Sequence, residues 1–348
     1  VPAKRSSTVA ARLLAWYDAN ARSLPWRSPP GSNAPDPYRV WLSEIMLQQT
    51  TVATVRPRFE AFVARWPTVE SLAAASDADL MAAWAGLGYY ARARNLIACA
   101  RSVVADHDGL FPDNEAGLRA LPGIGDYTAA AIAAIAFGRR AVAVDANVAR
   151  VVARLDAIAA PLPGSMPAIR LAADAMTPDA RAGDFAQAMM DLGSSICTSR
   201  GPRCLLCPLI SECRGQAGGD PARYPLKLVK AVRPHKYGTI FWAEADGAVL
   251  LVRRPDKGLL GGMRALPTGP WSDAPPGLAG APEGYGWRLV DGSVSHGFTH
   301  FTLDLALAVG TALSHVDGEW WPVADIESAG LPTVFAKAAM TIRRAECG

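Results

Sequence analysis

Two acidic side chains stand in settings where a carboxylate can do chemistry. Glu44 lies in Val40–Leu47, an apolar stretch whose only other polar member is Ser43. A carboxyl crowded by apolar neighbours has its pKa raised and holds a proton near neutrality, as a general acid must. Gln48 and Thr51 follow at i+4 and i+7, which would put them on the face of Glu44 and make this helix one wall of a cleft. Asp145 stands just before a helical pattern with Val148, Val151, Val152 and Leu155 on its apolar side, the place of an N-cap. About twenty residues earlier, Gly123 and Gly125 bracket Ile124 in a tight hairpin that opens onto an Ala-rich helix, Tyr127 to Phe137. Glycine permits positive φ and close approach of the backbone to another surface. The helix start behind it offers unpaired N–H groups and the positive end of a dipole, which suit a phosphate. Alone, each feature fits an ordinary αα-hairpin with an Asp cap; together they supply an anion cradle and two carboxylates.

Cysteines form the second constellation. Cys197, Cys204, Cys207 and Cys213 make C-x6-C-x2-C-x5-C; disulfides are rare in a reducing cytosol, and spacings this short favour a closed thiolate site. Four thiolates hold either a tetrahedral zinc or an iron–sulfur cube, and spacing leaves that choice open, with zinc the commoner default. Cys99 and Cys347 stand apart as free thiols, Cys99 buried on a helix.

Half of the 348 residues are hydrophobic, so the chain is globular and long enough for two domains. The net charge of +3 identifies no partner, but its distribution does more. Between Cys197 and Lys236 eight Lys/Arg face two acids, a basic stretch that can meet a polyanion. No apolar run approaches the ~20 residues of a membrane span and no signal peptide is visible, so the expected compartment is the cytoplasm, without membrane contact.

The elements that must position these groups are helical as far as Cys213. Apolar periodicity gives helices over Val9–Tyr17, Tyr38 to about Thr50, Arg58–Arg65, Asp77–Ala85 and Ala91–Asp106, with Asp36-Pro37 a good helix start. Gly86-Leu87-Gly88-Tyr89-Tyr90 is a tight aromatic turn, of a kind that forms core corners or wedges into base stacks. Two further helices run to about Gly193. Residues 1–215 thus form one helical domain, 216–234 a Gly/Pro/Lys-rich linker and 235–348 a small α+β domain. In the last, Thr239–Ala243, Ala248–Arg253 and the alternating Ser295–Val309 read as strands and Val334–Arg344 as a closing helix. The G-x5-E-x7-REUxEE run of a metal-dependent diphosphate hydrolase is absent from it.

LPGIGDYTAAAI, VDANVARV and the four-cysteine run resemble the helix-hairpin-helix DNA glycosylases that carry a 4Fe–4S cluster. WLSEIMLQQTTV at 41–52, AWAGLGYYARARNL at 83–96 and FAQAMMDLGSSIC at 185–197 are similar to the adenine DNA glycosylases of the MutY family. The resemblance runs from about Leu13 to Cys213 and continues more loosely through a C-terminal domain that is Nudix-like in that family. It implies a monofunctional base-excision repair enzyme, a monomer acting on double-stranded DNA that holds adenine opposite 8-oxoguanine or guanine. By the same resemblance the cysteines hold the 4Fe–4S cluster. Glu44 protonates the flipped adenine and Asp145 stabilises the oxocarbenium-like sugar, with Tyr127 and Asn147 orienting Asp145 and the water. Gln49, Leu87 and Tyr89 fill the gap in the stack, Gly123, Gly125, Arg200 and Arg203 meet the DNA, and Trp26 and Arg27 line the adenine pocket. Phe298, Thr299 and His300 read the opposite base.

The sequence departs from the family at three places. Ala146 replaces a glycine often found there, Ala149 stands where some relatives carry Lys, and Thr299 replaces the more usual Ser. Endonuclease III-like activity on oxidised pyrimidines is the first alternative, but its lysine nucleophile is Tyr127 here, and a phenol forms no Schiff base. The second is an inert DNA-scanning protein, which has no need of both carboxylates.

Overall fold

The computed structural model describes residues 2–228, 233–255, 259–298, 300–312 and 318–346. The chain divides into two compact units, Val1–Val229 and Lys230–Gly348. The first is built from α1 (Pro2–Asn20), α2 (Pro37–Leu47), α3 (Val52–Arg65), α4 (Val69–Ala73), α5 (Asp77–Ala83), α6 (Ala91–His107), α7 (Glu115–Ala120), α8 (Asp126–Phe137), α9 (Ala146–Leu155), α10 (Met166–Met176), α11 (Ala182–Ser195) and α12 (Arg214–Ala217). Asp36 caps α2 by accepting from the Tyr38 N–H, with Pro37 in the first turn, as the sequence predicts.

Two hydrophobic cores fill this unit. One gathers α2 to α8 around Trp41, Phe59, Phe62 and Trp84. The other gathers α1, α9, α10 and α11 around Leu13, Val152, Ile169 and Met189. Helix α8 is buried along its whole length from Thr128 to Ala136, so its apolar character goes all round rather than along one stripe. Its alanines let α11 come close: a Cβ at Gly183 would sit 2.4 Å from the Ala134 carbonyl oxygen. Helix α2 ends at Leu47, and Thr51 caps α3 through the Thr54 N–H. Thr51 therefore does not share the Glu44 helix face, contrary to the sequence reading; the backbone leaves the helix at Gln48, ψ 114°, and turns left-handed at Gln49, φ 57°.

The segment read as a linker is, in its described part, packed chain. Leu162 N–H donates to the Leu226 carbonyl, Arg154 donates to the Tyr224 carbonyl, and Gly215 lies so close to α9 that a Cβ would meet the Arg154 carbonyl at 2.7 Å. Residues 216–228 belong to the helical unit.

The second unit is a mixed sheet of β1 (His235–Ala245), β2 (Ala248–Arg253), β3 (Arg264–Ala265), β4 (Tyr285–Gly297), β5 (Thr302–Ala312) and β6 (Glu319–Pro322), closed by α13 (Thr333–Glu346). Strand order is β3-β2-β1-β5-β4 with β6 on β2; β1 and β5 are parallel, from His235 opposite Thr302 to Glu244 opposite Thr311. Helix α13 packs Val334, Phe335, Ala338 and Ile342 onto the apolar face of β4, β1 and β5. β3 and β6 are too short to leave an alternating pattern and escape the sequence reading. No described helix in either unit is long and apolar enough to cross a membrane.

Candidate active site

Glu44 is buried at 7% exposure on α2, among Val40, Trp41, Ile45 and Met46. Burial pushes its carboxyl up to about 7; a hydrogen bond with the Tyr127 hydroxyl opposes this, the charge of Asp145 adds to it and Arg27 opposes it. Tyr127 projects from the first turn of α8. Burial raises its phenol well above the ordinary value, with Glu44 and Asp145 adding to the rise, so it stays protonated. Tyr127 thus acts on both carboxyl groups, Glu44 and the Asp145 expected from sequence, and its hydroxyl also approaches Met190 Sδ at 3.9 Å.

Asp145 caps α9, its Oδ1 accepting from Val148 N–H at 2.7 Å and its Oδ2 from Asn147 Nδ2 at 2.8 Å. Asn147 is held in turn by Arg150 Nη2 at 2.8 Å, and the same guanidinium donates to the carbonyls of Gly193 and Cys197. A Cβ on Gly193 would lie 2.7 Å from Asn147 Cβ, so only glycine lets α11 lie against the first turn of α9.

These groups meet in a cavity of about 490 Å³ whose walls include Trp26, Arg27, Glu44, Gln49, Tyr127, Asp145 and Asn147. That is within the roughly 300–1,000 Å³ of small-molecule sites. Gln48 also lines it, its Nε2 turned to Thr128 Oγ1 at 3.4 Å. Three contributors escape the sequence reading: Arg22 and Gln187 on the wall, and Asp191 behind it, gripping Arg22 and Arg27. The Gln187–Asp191 spacing of i, i+4 on α11 was the available signal.

Two turns near the site carry exposed side chains on left-handed backbone, Gln49 at φ 57° and Tyr89 at φ 47°. Leu87 differs from the expectation: at 4% exposure it is part of the helical core, and it cannot fill a base stack without leaving it. Gly123 takes φ +76°, and a Cβ there would meet Asn95 Cβ at 2.6 Å, so the hairpin needs glycine on both counts. Gly125 is the N-cap of α8 and leaves the helix start without a side-chain cap.

The family model described as HhH-GPD superfamily base excision DNA repair protein matches residues 42–170, and that of the NUDIX domain matches 239–340. An adenine DNA glycosylase of Mycolicibacterium smegmatis is 44% identical over 60% of this chain and 70% of its own length. The chain belongs to the adenine DNA glycosylase family. Adenine DNA glycosylases of Arabidopsis thaliana and Homo sapiens are 39% and 37% identical over 74% of the chain. The chain spans about half the length of these two, 46% and 57%. A solved structure of a thermostable thymine-DNA glycosylase superposes with a TM-score of 0.54 at 28% identity, covering 62% of this chain and 98% of that one.

In this adenine DNA glycosylase relative the four thiols of Cys197, Cys204, Cys207 and Cys213 line one hollow beside Arg154 and Ile196. Arg154, 1% exposed, donates to Cys197 Sγ at 3.3 Å and to the carbonyls of Thr198, Ser199 and Tyr224. A buried guanidinium is compensated when the thiols beside it are ionised, as they are when they ligate a metal centre. Among the described residues no three His, Cys, Asp or Glu side chains converge tightly enough to hold a single metal ion. Arg200 and Arg203 are exposed on the loop between the first two cysteines. Cys99 is buried, its thiol pushed up to about 12 by burial; Cys347 lies outside the described residues.

In the second unit Phe298 and His300 sit on the turn between β4 and β5, which the Phe298 N–H closes by donating to the Phe301 carbonyl. Thr299 lies outside the described residues. Phe298 stacks on Trp271 with ring centroids 5.9 Å apart, and the indole lies over Gly238, where a Cβ would meet Trp271 Cδ1 at 2.7 Å. The described part of 254–284 contains no helix, and the diphosphate-hydrolase signature is absent from the sequence of this unit.

Proposed function

We propose that the chain is a monofunctional adenine DNA glycosylase of base excision repair, hydrolysing the N-glycosidic bond of adenine opposite 8-oxoguanine or guanine in double-stranded DNA. The observation that carries this reading is one cavity holding a carboxyl that keeps its proton near neutrality and a second carboxylate held by two N–H donors. The target base is unreachable while stacked, so it is flipped into the cavity. Glu44 gives its proton to a ring nitrogen of the adenine, and the C–N bond breaks with its electron pair leaving on the base. The sugar becomes oxocarbenium-like beside Asp145, whose negative charge stabilises it. Water adds to the sugar carbon and Glu44 takes back a proton. Tyr127 holds Glu44, Asn147 holds Asp145, and Trp26 and Arg27 wall the adenine. Among the described residues no lysine lines the cavity, and Tyr127 stands where the lyases carry their lysine, which supports hydrolysis over Schiff-base strand cleavage.

Gly123, Gly125 and the start of α8 are assigned to a phosphate, Arg200 and Arg203 to the backbone, and Gln49 with Tyr89 to the gap left by the flipped base. Phe298, Thr299 and His300 are assigned to the opposite base, and Cys197, Cys204, Cys207 and Cys213, whose four thiols line one hollow, to a 4Fe–4S cluster. The protein acts as a monomer in the cytoplasm, on the nucleoid if bacterial.

Glu44→Gln keeps size but cannot cycle a proton. Its single-turnover excision of adenine opposite 8-oxoguanine is expected to fall by about 10²–10⁴-fold with duplex affinity retained. Excision at the normal rate would overturn the assignment. Purified protein is expected to carry about four iron and four acid-labile sulfide per chain, and zinc without iron would refute the cluster.

A further inference from the structure

Asp191 lies one helical turn beyond Gln187 on α11, behind the cavity wall, with 1% of its surface exposed. It takes both ends of the Arg27 guanidinium, Nη1 at 2.7 Å and Nη2 at 3.0 Å. It also takes Arg22, through Nε at 2.7 Å, Nη2 at 2.5 Å and the backbone N–H at 3.3 Å. Burial works against its charge, and the hydrogen bonds and charges of the two arginines overcome that, holding the carboxyl below the usual carboxylate range. The hydroxyl of Tyr17 on α1 is buried beside the group, and burial pushes it up to about 12, so it adds no charge. Asp184 of the same helix is engaged elsewhere, by Arg181 and the Gly31 N–H. Two guanidinium groups thus share one carboxylate, and both line the cavity that holds Glu44. The charged and titratable groups acting on Glu44 are Tyr127 from α8, Asp145 ahead of α9 and Arg27 ahead of α2.

We propose that Asp191 is a positioning residue of the excision site, clamping Arg27 and Arg22 to the cavity wall so that a fixed, half-neutralised positive charge sets the proton affinity of Glu44. A bidentate carboxylate–guanidinium pair fixes distance and orientation, which a free arginine in a wet cleft does not have. The clamp keeps Arg27 from swinging onto Glu44 and pulling off the proton that the adenine needs. The proposal rests on Glu44 as the proton donor.

The test is the pH dependence of single-turnover adenine excision by the full chain. Excision declines as pH rises through the pKa of Glu44, giving an alkaline limb. Asp191→Asn keeps size but removes the neutralising charge, so Glu44 loses its proton more readily and the limb is expected to move down by about 0.5–1 pH unit. Arg22→Gln, at a side chain 35% exposed, removes the second cation that shares Asp191 and leaves that carboxylate to neutralise Arg27 more fully, so the limb is expected to move up. Asp191→Glu, which keeps the charge, is expected to leave the limb near its original place. Opposite shifts in the first two variants support the proposal. A fixed limb in both, whatever the loss of stability, overturns it and leaves the cluster as packing. Should Asp191→Asn fail to fold, the direction of the Arg22→Gln shift decides. Glu44→Gln separates the two failures: normal excision there sinks the acid assignment itself, whereas an inactive Glu44→Gln with an unmoved limb sinks only the role of Asp191.

Discussion

Glu44 shows what a single residue contributes and what it costs. Its apolar neighbours along α2 signal burial from sequence, and burial is the largest cause of its raised pKa. Because the folded value, about 7, lies above the ordinary 4.5, the folded chain holds this proton more tightly than the unfolded chain does. The stability linked to it is fully present below about pH 4.5 and is lost as pH rises through about 7. Glu44→Gln cannot ionise and escapes that loss. It is expected to match the wild type near pH 4.5 and to exceed it near pH 8, by at most about 3 kcal/mol. Denaturant unfolding of both proteins at the two pH values checks this, and a difference independent of pH would mean that Glu44 does not titrate in that window. The group that hydrogen-bonds Glu44 was less legible: Tyr127 is 83 positions away, and its direction depends on how α8 packs on α2.

At the scale of elements, the start of α9 does two jobs with one side chain. Asp145 caps the helix and faces the cavity, and the cap fixes where its carboxylate points. Asn147 and Arg150 carry that fixation across to α11 and to the Cys197 carbonyl, so the helix start is tied to the cysteine loop. The contact depends on a missing side chain. Gly193→Ala would drive a methyl against Asn147 and shift the first turn of α9. Excision is expected to fall by about tenfold or more, because a misplacement of about 1 Å is costly in a preorganised site. Helix content by circular dichroism should remain, since alanine favours α11. A variant with wild-type excision would show that the close approach of α9 and α11 is not needed for chemistry.

At the scale of the whole molecule, the helical unit continues past the last cysteine to Val229, and the segment around Tyr224–Lys227 is part of its fold. A chain truncated after 215 leaves the buried Arg154 without the Tyr224 carbonyl and Leu162 without Leu226. It is expected to be less stable than a chain truncated after 229 by about 1–3 kcal/mol for each buried donor left unsatisfied. The longer form should still remove adenine, since both carboxylates lie in it, but with a smaller preference for 8-oxoguanine over guanine as partner. Thermal melts of the two forms and excision rates on both duplexes are the measurements. Equal melting temperatures would return 216–228 to the status of a linker, and an unchanged partner preference would leave Phe298 as packing on Trp271 and His300 as an exposed turn residue.

What the sequence determined by itself is what is written locally. Glycine spacing marked the hairpin before α8, Asp145 marked a helix start, the apolar run around Glu44 marked its burial, and four cysteines within seventeen residues marked a thiolate site. The longer helices followed from periodicity, while short α4 and α7, the part of β4 before Ser295, and β3 and β6, which exist only through pairing with β2, were not read. The tertiary structure alone decided which distant groups meet. Glu44, Tyr127, Asp145 and Gln187 come from four segments spread over more than 140 positions, and the close packing of α8 between α2 and α11 brings them to one cavity. It also decided that Leu87 is core rather than wedge, and that Asp191 stands behind Arg22 and Arg27. Local patterns fix the direction of a side chain relative to its own helix, whereas its partners are fixed by how the helices pack against one another.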